Sequence, residues 1–505
     1  MDITMKIISR NKLLTTREHF MSKRISSIKI KSLIYLVTTL FCVSSFAETF
    51  LKGADLSYVN QMESCGVTYK DNGVTKNNYQ IMADHGANIV RIRLWHTPDW
   101  EAMDGTVNQF SDFADAKISI ARAKALGLNV LLDFHYSDEW TDPGHQTIPS
   151  AWESLVNDTP ALASTVYNYT YDTLMSLNAD GLMPEYVQVG NETNREIMML
   201  AGSTGSPINW TRNSALLNAG ISAVRAAGGA ASIDPKIILH IADPNNAVWW
   251  FGDATENGVT DFDIIGLSYY PEWHPGTITQ TGDILTNLKT TFNKDVMIVE
   301  TGVIWTHDWN DNGTNMMGSE QYYVSEGYGV ASPEAQRDWL IDLANEVKTR
   351  GGLGVVYWEP SWVSNGCWTL WGEGSHWENA SFFDFNNNLN ANGGIKFLEE
   401  NYGNVTFKVD MTGVKGADGG YITGDFTGSP WQIMEMRDYG NNIYSFSVNI
   451  PEGSTGGYYF LKRNSWGKRE TVPTECALSW GTDREYSIPQ GQGGITLAFN
   501  FASCD

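Results

Sequence analysis

The sequence predicts a (β/α)8 barrel followed by a small all-β sandwich, and three observations carry that prediction. Between residues 51 and 360, short apolar runs alternate with segments of helical periodicity. Those runs end in polar side chains, as barrel strands do when their C-terminal ends line a cleft. After Tyr402-Gly403 the pattern changes to short alternating runs separated by turn residues.

Eight runs read as the barrel strands: Leu51–Ser57, Asn88–Trp95, Asn129–His135, Tyr186–Asn191, Ile237–Ala242, Phe262–Tyr270, Val296–Thr301 and Gly354–Trp358. Their centres, such as Val130-Leu131-Leu132, are almost wholly apolar, which suits parallel strands covered on both faces. Between them, Ala114–Leu126 reads as a helix closed by Gly127, and Ser214–Ala227 as one closed by Gly228-Gly229. Glu334–Arg350 starts after Ser332-Pro333, with Pro at the first helical position, and closes at Gly351-Gly352. A doubly wound open sheet is the alternative, but no Gly-rich phosphate loop follows the first run. The runs Val405–Val409, Ile443–Val448 and Tyr458–Leu461 give the sandwich. The expected organisation is a signal region 1–47, the barrel 48–403 and the sandwich 404–505.

Export is read from the N-terminus. Lys23-Arg24, Lys29 and Lys31 precede an apolar run from Leu33 to Val43, and Ser45-Phe46-Ala47 has the small-x-small form of a cleavage site. The run is short for a membrane span, so a secreted or periplasmic protein, free of the membrane once the signal is cleaved and monomeric, is expected. The net charge is −24; without residues 1–47 there remain 26 basic against 56 acidic residues, or −30. Such acidity argues against nucleic acid and acidic polymers as partners and suits a neutral polysaccharide. Aromatic residues make up 12% of the chain, and their flat faces stack on the C–H faces of sugars. Cys65 and Cys367 in the large region, with Cys476 and Cys504 near the C-terminus, are expected to form two disulfides, one per domain.

The strand ends collect the chemistry: Asp55 and Ser57, Arg91 and Arg93, Asp133 and His135, Asn191-Glu192, Tyr269-Tyr270, Glu300 and Trp358-Glu359. Two carboxylates stand out, Glu192 after the fourth run and Glu300 after the seventh. Hydrolysis of a glycosidic bond with retention needs one carboxyl to protonate the leaving oxygen and another, about 5–5.5 Å away, to attack the anomeric carbon. Glu192 is read as the acid/base and Glu300 as the nucleophile. Arg91 or Arg93, Tyr269 or Tyr270, and His135 are available to keep Glu300 ionised, and Asn191 to bind a sugar hydroxyl.

At this point the sequence resembles a known family. Asn-Glu at strand 4 with Glu at strand 7 is the pattern of clan A glycoside hydrolases, and within that clan the chain is similar to family 53, the endo-β-1,4-galactanases. The resemblance rests on Lys52–Tyr58, Asn88–Trp95, Asp133–Trp140 running into Thr141–His145, Val189–Thr193, Tyr269–His274, Val299–Gly302 and Tyr357–Pro360, and covers roughly 50–402. It implies cleavage inside β-1,4-galactan side chains of pectin, with no cofactor required. By position, Glu192 and Glu300 would be catalytic. Arg91 or Arg93, His135, Asn191, Tyr269 or Tyr270 and Trp358 would line the sugar site, and Asp138, Trp140, Asp142, Trp273, Trp362 and Trp371 would serve flanking subsites.

Some relatives hold calcium in the loop after strand 7; here Asp308, Asn310 and Asn312 are the candidate ligands for a structural calcium. The C-terminal module loosely resembles carbohydrate-binding sandwiches, with Tyr421, Trp431, Tyr458, Tyr459, Trp466 and Trp480 as its aromatics. Three rival readings remain open: another clan A endo-β-glycanase acting on mannan, xylan or glucan; a non-catalytic polysaccharide-binding protein; and a metal-dependent barrel hydrolase drawing on His135, His240 and His274.

Overall fold

The computed structural model describes residues 49–399, 401–427, 430–479, 481–490 and 494–505; the expected signal region 1–47 and Trp480 lie outside them. Eight parallel strands close into a barrel: β1 (Leu51–Asp55), β2 (Ile89–Leu94), β3 (Asn129–Phe134), β4 (Tyr186–Val189), β5 (Lys236–Ala242), β6 (Ile264–Ser268), β7 (Asp295–Glu300) and β8 (Gly354–Tyr357). Each strand pairs with its neighbour in sequence, and β1 pairs with both β2 and β8.

Because alternate side chains of a strand point to opposite faces, the barrel interior is built in layers. The lower layer is apolar: Leu51, Ile89, Leu131, Ile238, Ile264, Met297 and Val356 pack against one another. Further along the strands the same face turns polar, with Arg91, Asp133 and His240 two residues on and Ser268 four residues on, all buried. The opposite faces join the large core beneath the helices, which includes Val90, Ile92, Leu132, Leu239 and Ile265. One dry layer therefore carries one layer of charge and hydrogen bonds at the C-terminal mouth.

The helices follow the expected spans, with one difference. The helix expected to close at Gly228-Gly229 runs from Trp210 through both glycines to Ala230. A Cβ at Gly228 would come within 2.3 Å of Asp234 Oδ1, so the glycine there serves close approach of the next loop instead of a helix stop.

After the barrel come two four-stranded sheets. One comprises Arg437–Asp438, Ile443–Pro451, Tyr402–Asp410 and Gly494–Asn500, in that order; the other Met434–Glu435, Tyr421–Gly424, Thr455–Leu461 and Arg484–Ser487. Val405, Phe407, Val409, Ile422, Tyr458, Phe460 and Tyr486 fill the core between them. This sandwich meets the barrel helix Pro333–Thr349 through polar contacts: Asn345 Nδ2 donates to Asn449 Oδ1 at 3.0 Å, and Lys348 pairs with Glu452 at 3.3 Å. Both expected disulfides are present, Cys65–Cys367 and Cys476–Cys504. Among the described residues no helix is long and apolar enough to cross a membrane.

Candidate active site

Glu300 closes β7 and Glu192 follows β4, so the barrel's closure brings them to opposite sides of one mouth. Carboxylate oxygens of the two, together with a ring nitrogen of His240, lie within 4.8 Å of one another. That is too close for an inverting pair, which needs about 6.5–9.5 Å to admit a water. Glu192 sits at φ 44°, in the left-handed region that costs a non-glycine residue on the order of 1 kcal/mol and is kept mainly where function requires it.

The two carboxyls have different surroundings. Arg91 Nη2 lies 2.8 Å from Glu300 Oε1, and the Tyr270 hydroxyl donates to Glu300 Oε2 at 2.9 Å. Arg91 is itself held by Asp55 and Asp133, each at 2.7 Å, so its guanidinium is fixed in place. Burial pushes the Glu300 carboxyl up to about 7, and Arg91 and Tyr270 pull against that rise. Glu192 has Ser268 as its side-chain donor, at 2.5 Å, and among the described residues it forms no ion pair, Arg91 acting on it only from a distance. Burial, and then the charge of Glu300, push Glu192 well above the ordinary carboxylate range. The environment thus favours a proton on Glu192 over one on Glu300, which is the division that acid and nucleophile require.

Beneath the pair, Asn191 Oδ1 accepts from Arg91 Nη2 at 2.8 Å and its amide nitrogen donates to the Thr141 carbonyl at 2.7 Å. His135 receives the Thr141 backbone N–H on Nδ1 at 3.2 Å, so its proton sits on Nε2 and faces Asp133 at 3.0 Å. The cleft above is walled by Trp140, Asp142, Met316, Trp358, Trp362 and Trp371. Trp273, about half exposed, stands at the rim against Tyr270, with ring centroids 5.2 Å apart.

Several residues expected in the sugar site are placed elsewhere. Arg93 is buried, paired with Glu359 at 2.7 Å, and its guanidinium lies 4.2 Å from the ring centres of both Tyr58 and Trp140. It braces the wall and does not reach the cleft. Tyr269 points outward, its hydroxyl on the Gly276 carbonyl and its ring stacked on Trp339, because adjacent strand residues face opposite ways. Asp138 accepts backbone N–H groups from Thr97 and Ser150 and so fixes the loop after β3.

The expected calcium loop does not fit a cation. Asp308 is exposed, and Asn312 donates its side-chain amide to Glu373 at 2.9 Å. The carboxylates that organise the loop are Asp311, which accepts the backbone N–H groups of Gly313, Asn365 and Ser375, and Glu378, which accepts that of Asn310 and the Ser364 hydroxyl. Every oxygen of these two carboxylates is thus engaged by a protein donor, whereas Ca²⁺ needs six to eight oxygen ligands turned toward it. The one acid-and-histidine cluster among the described residues with metal-like spacing is Glu192, His240 and Glu300. There Arg91 already supplies the cation beside Glu300, and His240 Nε2 is engaged by Ser268 at 2.8 Å.

Gln188 and Ser268 were not expected at the site, and His240 was expected there only under the rival metal-dependent reading. Each is a lone polar residue within an apolar run, as in Val187-Gln188-Val189 and Leu239-His240-Ile241. Burying such a group is costly unless it is hydrogen-bonded, and that is the signal by which they are recognisable.

Comparisons with known proteins agree with this geometry. The profile of Glycosyl hydrolase family 53 matches residues 51–393. The chain is 48% identical to an arabinogalactan endo-beta-1,4-galactanase of Cellvibrio japonicus, over 70% of this chain and 91% of that one. It is 34% identical to an endo-beta-1,4-galactanase of Bacillus subtilis, over 64% and 73% respectively. Among solved structures, the GH53 catalytic domain of Ignisphaera aggregans is similar at 33% identity and a TM-score of 0.63, covering 70% of this chain and 97% of that one.

Proposed function

The chain belongs to glycosyl hydrolase family 53, and from that premise we propose that it is an exported, retaining endo-β-1,4-galactanase that cuts internal bonds of (arabino)galactan. The observation that carries the reading is the close pair Glu192 and Glu300, the second gripped by Arg91 and Tyr270 and the first hydrogen-bonded by Ser268.

The reaction follows from those surroundings. A Glu300 oxygen attacks the anomeric carbon while Glu192 gives its proton to the glycosidic oxygen. The C–O bond breaks, and a glycosyl ester forms on Glu300. With Glu300 esterified, the negative charge moves to Glu192. That carboxylate removes a proton from water, which attacks the anomeric carbon, releases Glu300 and restores the acid. Two inversions give net retention. No cofactor is required by these steps.

Trp140, Trp358 and Trp371 offer stacking surfaces along the cleft and Trp273 at its rim, with Asn191 and Asp142 as polar contacts, while Trp362, fully buried against Tyr58, backs the wall. Arg91 and His135 act from beneath by holding Glu300 and the strand 3 loop. Both carboxyls and the aromatic walls of the cleft come from one chain, which is consistent with a monomer. The two disulfides support an oxidising, extracytoplasmic compartment. The sandwich is proposed to bind polysaccharide and raise local substrate concentration. Tyr458 is in its core and Tyr459 is buried, which leaves half-exposed Trp466 and the more exposed Tyr439 as open aromatics.

The test is reducing-sugar release by the purified protein from β-1,4-galactan beside mannan, xylan and β-glucan, with the anomer of the first product followed by proton NMR. Galactan hydrolysis yielding β-anomer first is expected. Preference for another polymer would overturn the substrate, and an α-anomer the mechanism.

A further inference from the structure

At the end of β6 the strand register shifts. Leu267 pairs with Ile298, but the next residue, Ser268, pairs with Glu300, so Val299 is skipped. Bulges of this kind re-aim side chains and recur beside active sites. Here the shift lets Val299 pack in the apolar layer while Glu300, next in sequence, also reaches the barrel mouth. It also sets the Ser268 hydroxyl between the two carboxyls, 2.5 Å from Glu192 Oε1 and 3.5 Å from Glu300 Oε2.

The direction of the Ser268 hydrogen bond is fixed from below. His240 Nδ1 meets two donors, the Glu192 backbone N–H at 3.3 Å and Gln188 Nε2 at 3.0 Å, against one acceptor, Asn191 Oδ1 at 2.9 Å, which already receives Arg91 Nη2; the two donors assign the lone pair to Nδ1 and the proton to Nε2. Nε2 is 2.8 Å from Ser268 Oγ and therefore donates to it. The hydroxyl has one proton of its own, and the nearest acceptor is Glu192. His240 is fully buried and held neutral, well below the ordinary imidazole range, by burial and then by Arg91, with His135 and His274 adding to the effect. It therefore orients Ser268 without contributing a charge.

We propose that Ser268, oriented by neutral His240, is a positioning residue that tunes the proton-carrying Glu192 through both halves of the reaction. With its Oε1 occupied by the serine hydroxyl, protonated Glu192 carries its proton on Oε2. When Glu192 becomes the carboxylate, the same hydroxyl stabilises it without moving. The groups facing Glu192 are Glu300, Asp142, Arg91, His240 and Ser268, and Tyr270 approaches from β6's far end. Of these, Ser268 is the neutral side-chain donor on Glu192, and its hydrogen bond favours the charged form. This inference rests on Glu192 being the acid/base.

The test is Ser268→Ala, with Ser268→Thr as the variant that retains the hydroxyl. Removing the donor makes Glu192 harder to ionise, so the alkaline limb of kcat/KM on galactan is expected to move up by about one pH unit, with Thr restoring the wild-type profile. For aryl β-galactobiosides, kcat/KM is expected to fall on the order of tenfold with a phenol leaving group. It should hardly change with 2,4-dinitrophenol, which leaves without a proton. An unmoved alkaline limb, or equal losses with both leaving groups, would overturn the proposal and leave Ser268 a structural residue. Glu192→Gln run in parallel separates the two readings: if that variant keeps full activity on galactan, it is the assignment of Glu192 that fails.

Discussion

Tyr270 donates its hydroxyl to Glu300 Oε2 at 2.9 Å, while Arg91 holds the other oxygen at 2.8 Å, so both oxygens of the candidate nucleophile are gripped. Burial raises Glu300 to about 7, and Tyr270 opposes that rise because its hydrogen bond favours the carboxylate. Tyr270→Phe removes the opposition, and the Glu300 pKa goes up further. The ionised nucleophile is then lost at higher pH than before. The acidic limb of kcat/KM is expected to move to higher pH, while activity on the alkaline side falls by less than about tenfold. A limb that stays in place or moves down would show that Tyr270 does not tune Glu300.

Arg93 and Glu359 join β2 to the end of β8 at 2.7 Å, and both are buried. Removing one partner leaves a buried charge alone, which costs about 3–5 kcal/mol. Glu359→Ala is therefore expected to lower unfolding free energy by about that amount in urea melts. Arg93 also lies against Trp140, a wall of the cleft, so the folded variant should show a raised KM with kcat less affected. A loss below about 1 kcal/mol would mean that the pair is solvated.

Cys65 and Cys367, 302 residues apart, tie the helix after β1 to the loop after β8. Closing so long a loop restricts the unfolded chain, by about 2–4 kcal/mol in typical cases. The double Ser variant should lose that much stability and show a lowered Tm in calorimetry. Because the hairpin that carries Trp371 begins at Trp368, beside Cys367, cleavage of long galactan should suffer more than cleavage of short oligomers. Equal effects on both would separate the disulfide from substrate binding.

The strands were legible because a barrel strand covered on both faces is a short apolar run, and their polar ends marked the mouth. What stayed ambiguous was direction. Arg91 and Arg93 share a face, and only the layer that each reaches decides which meets Glu300 and which meets Glu359. Tyr269 and Tyr270 are neighbours that face opposite ways, and the choice between them depends on a register shift at Leu267/Ser268 that leaves no mark in composition. Gln188 and His240 were visible as polar letters in apolar runs. Their partners come from other strands, so their role emerged only once the barrel was closed. The aromatic content of the sandwich was likewise ambiguous, since Tyr458 fills a core and Trp466 faces solvent.

The loop after β7 gives the last prediction. Its Asp and Asn letters suited calcium, but Asp311 uses both oxygens on the backbone amides of Gly313, Asn365 and Ser375. Glu378 similarly ties Asn310 to Ser364. These bonds clamp the loop to the segment after β8, doing with carboxylates and N–H groups what a bound cation would do with carboxylates alone. EDTA is accordingly expected to leave both Tm and activity unchanged. Asp311→Ala should free three amides, and each unsatisfied buried donor costs about 1–3 kcal/mol. The damage should appear as a raised KM, because Met316, which follows the loop, and Trp371, on the clamped segment, both wall the cleft. A fall in Tm with EDTA that added Ca²⁺ reverses would show instead that the loop rearranges around a metal, with Asp311 among its ligands.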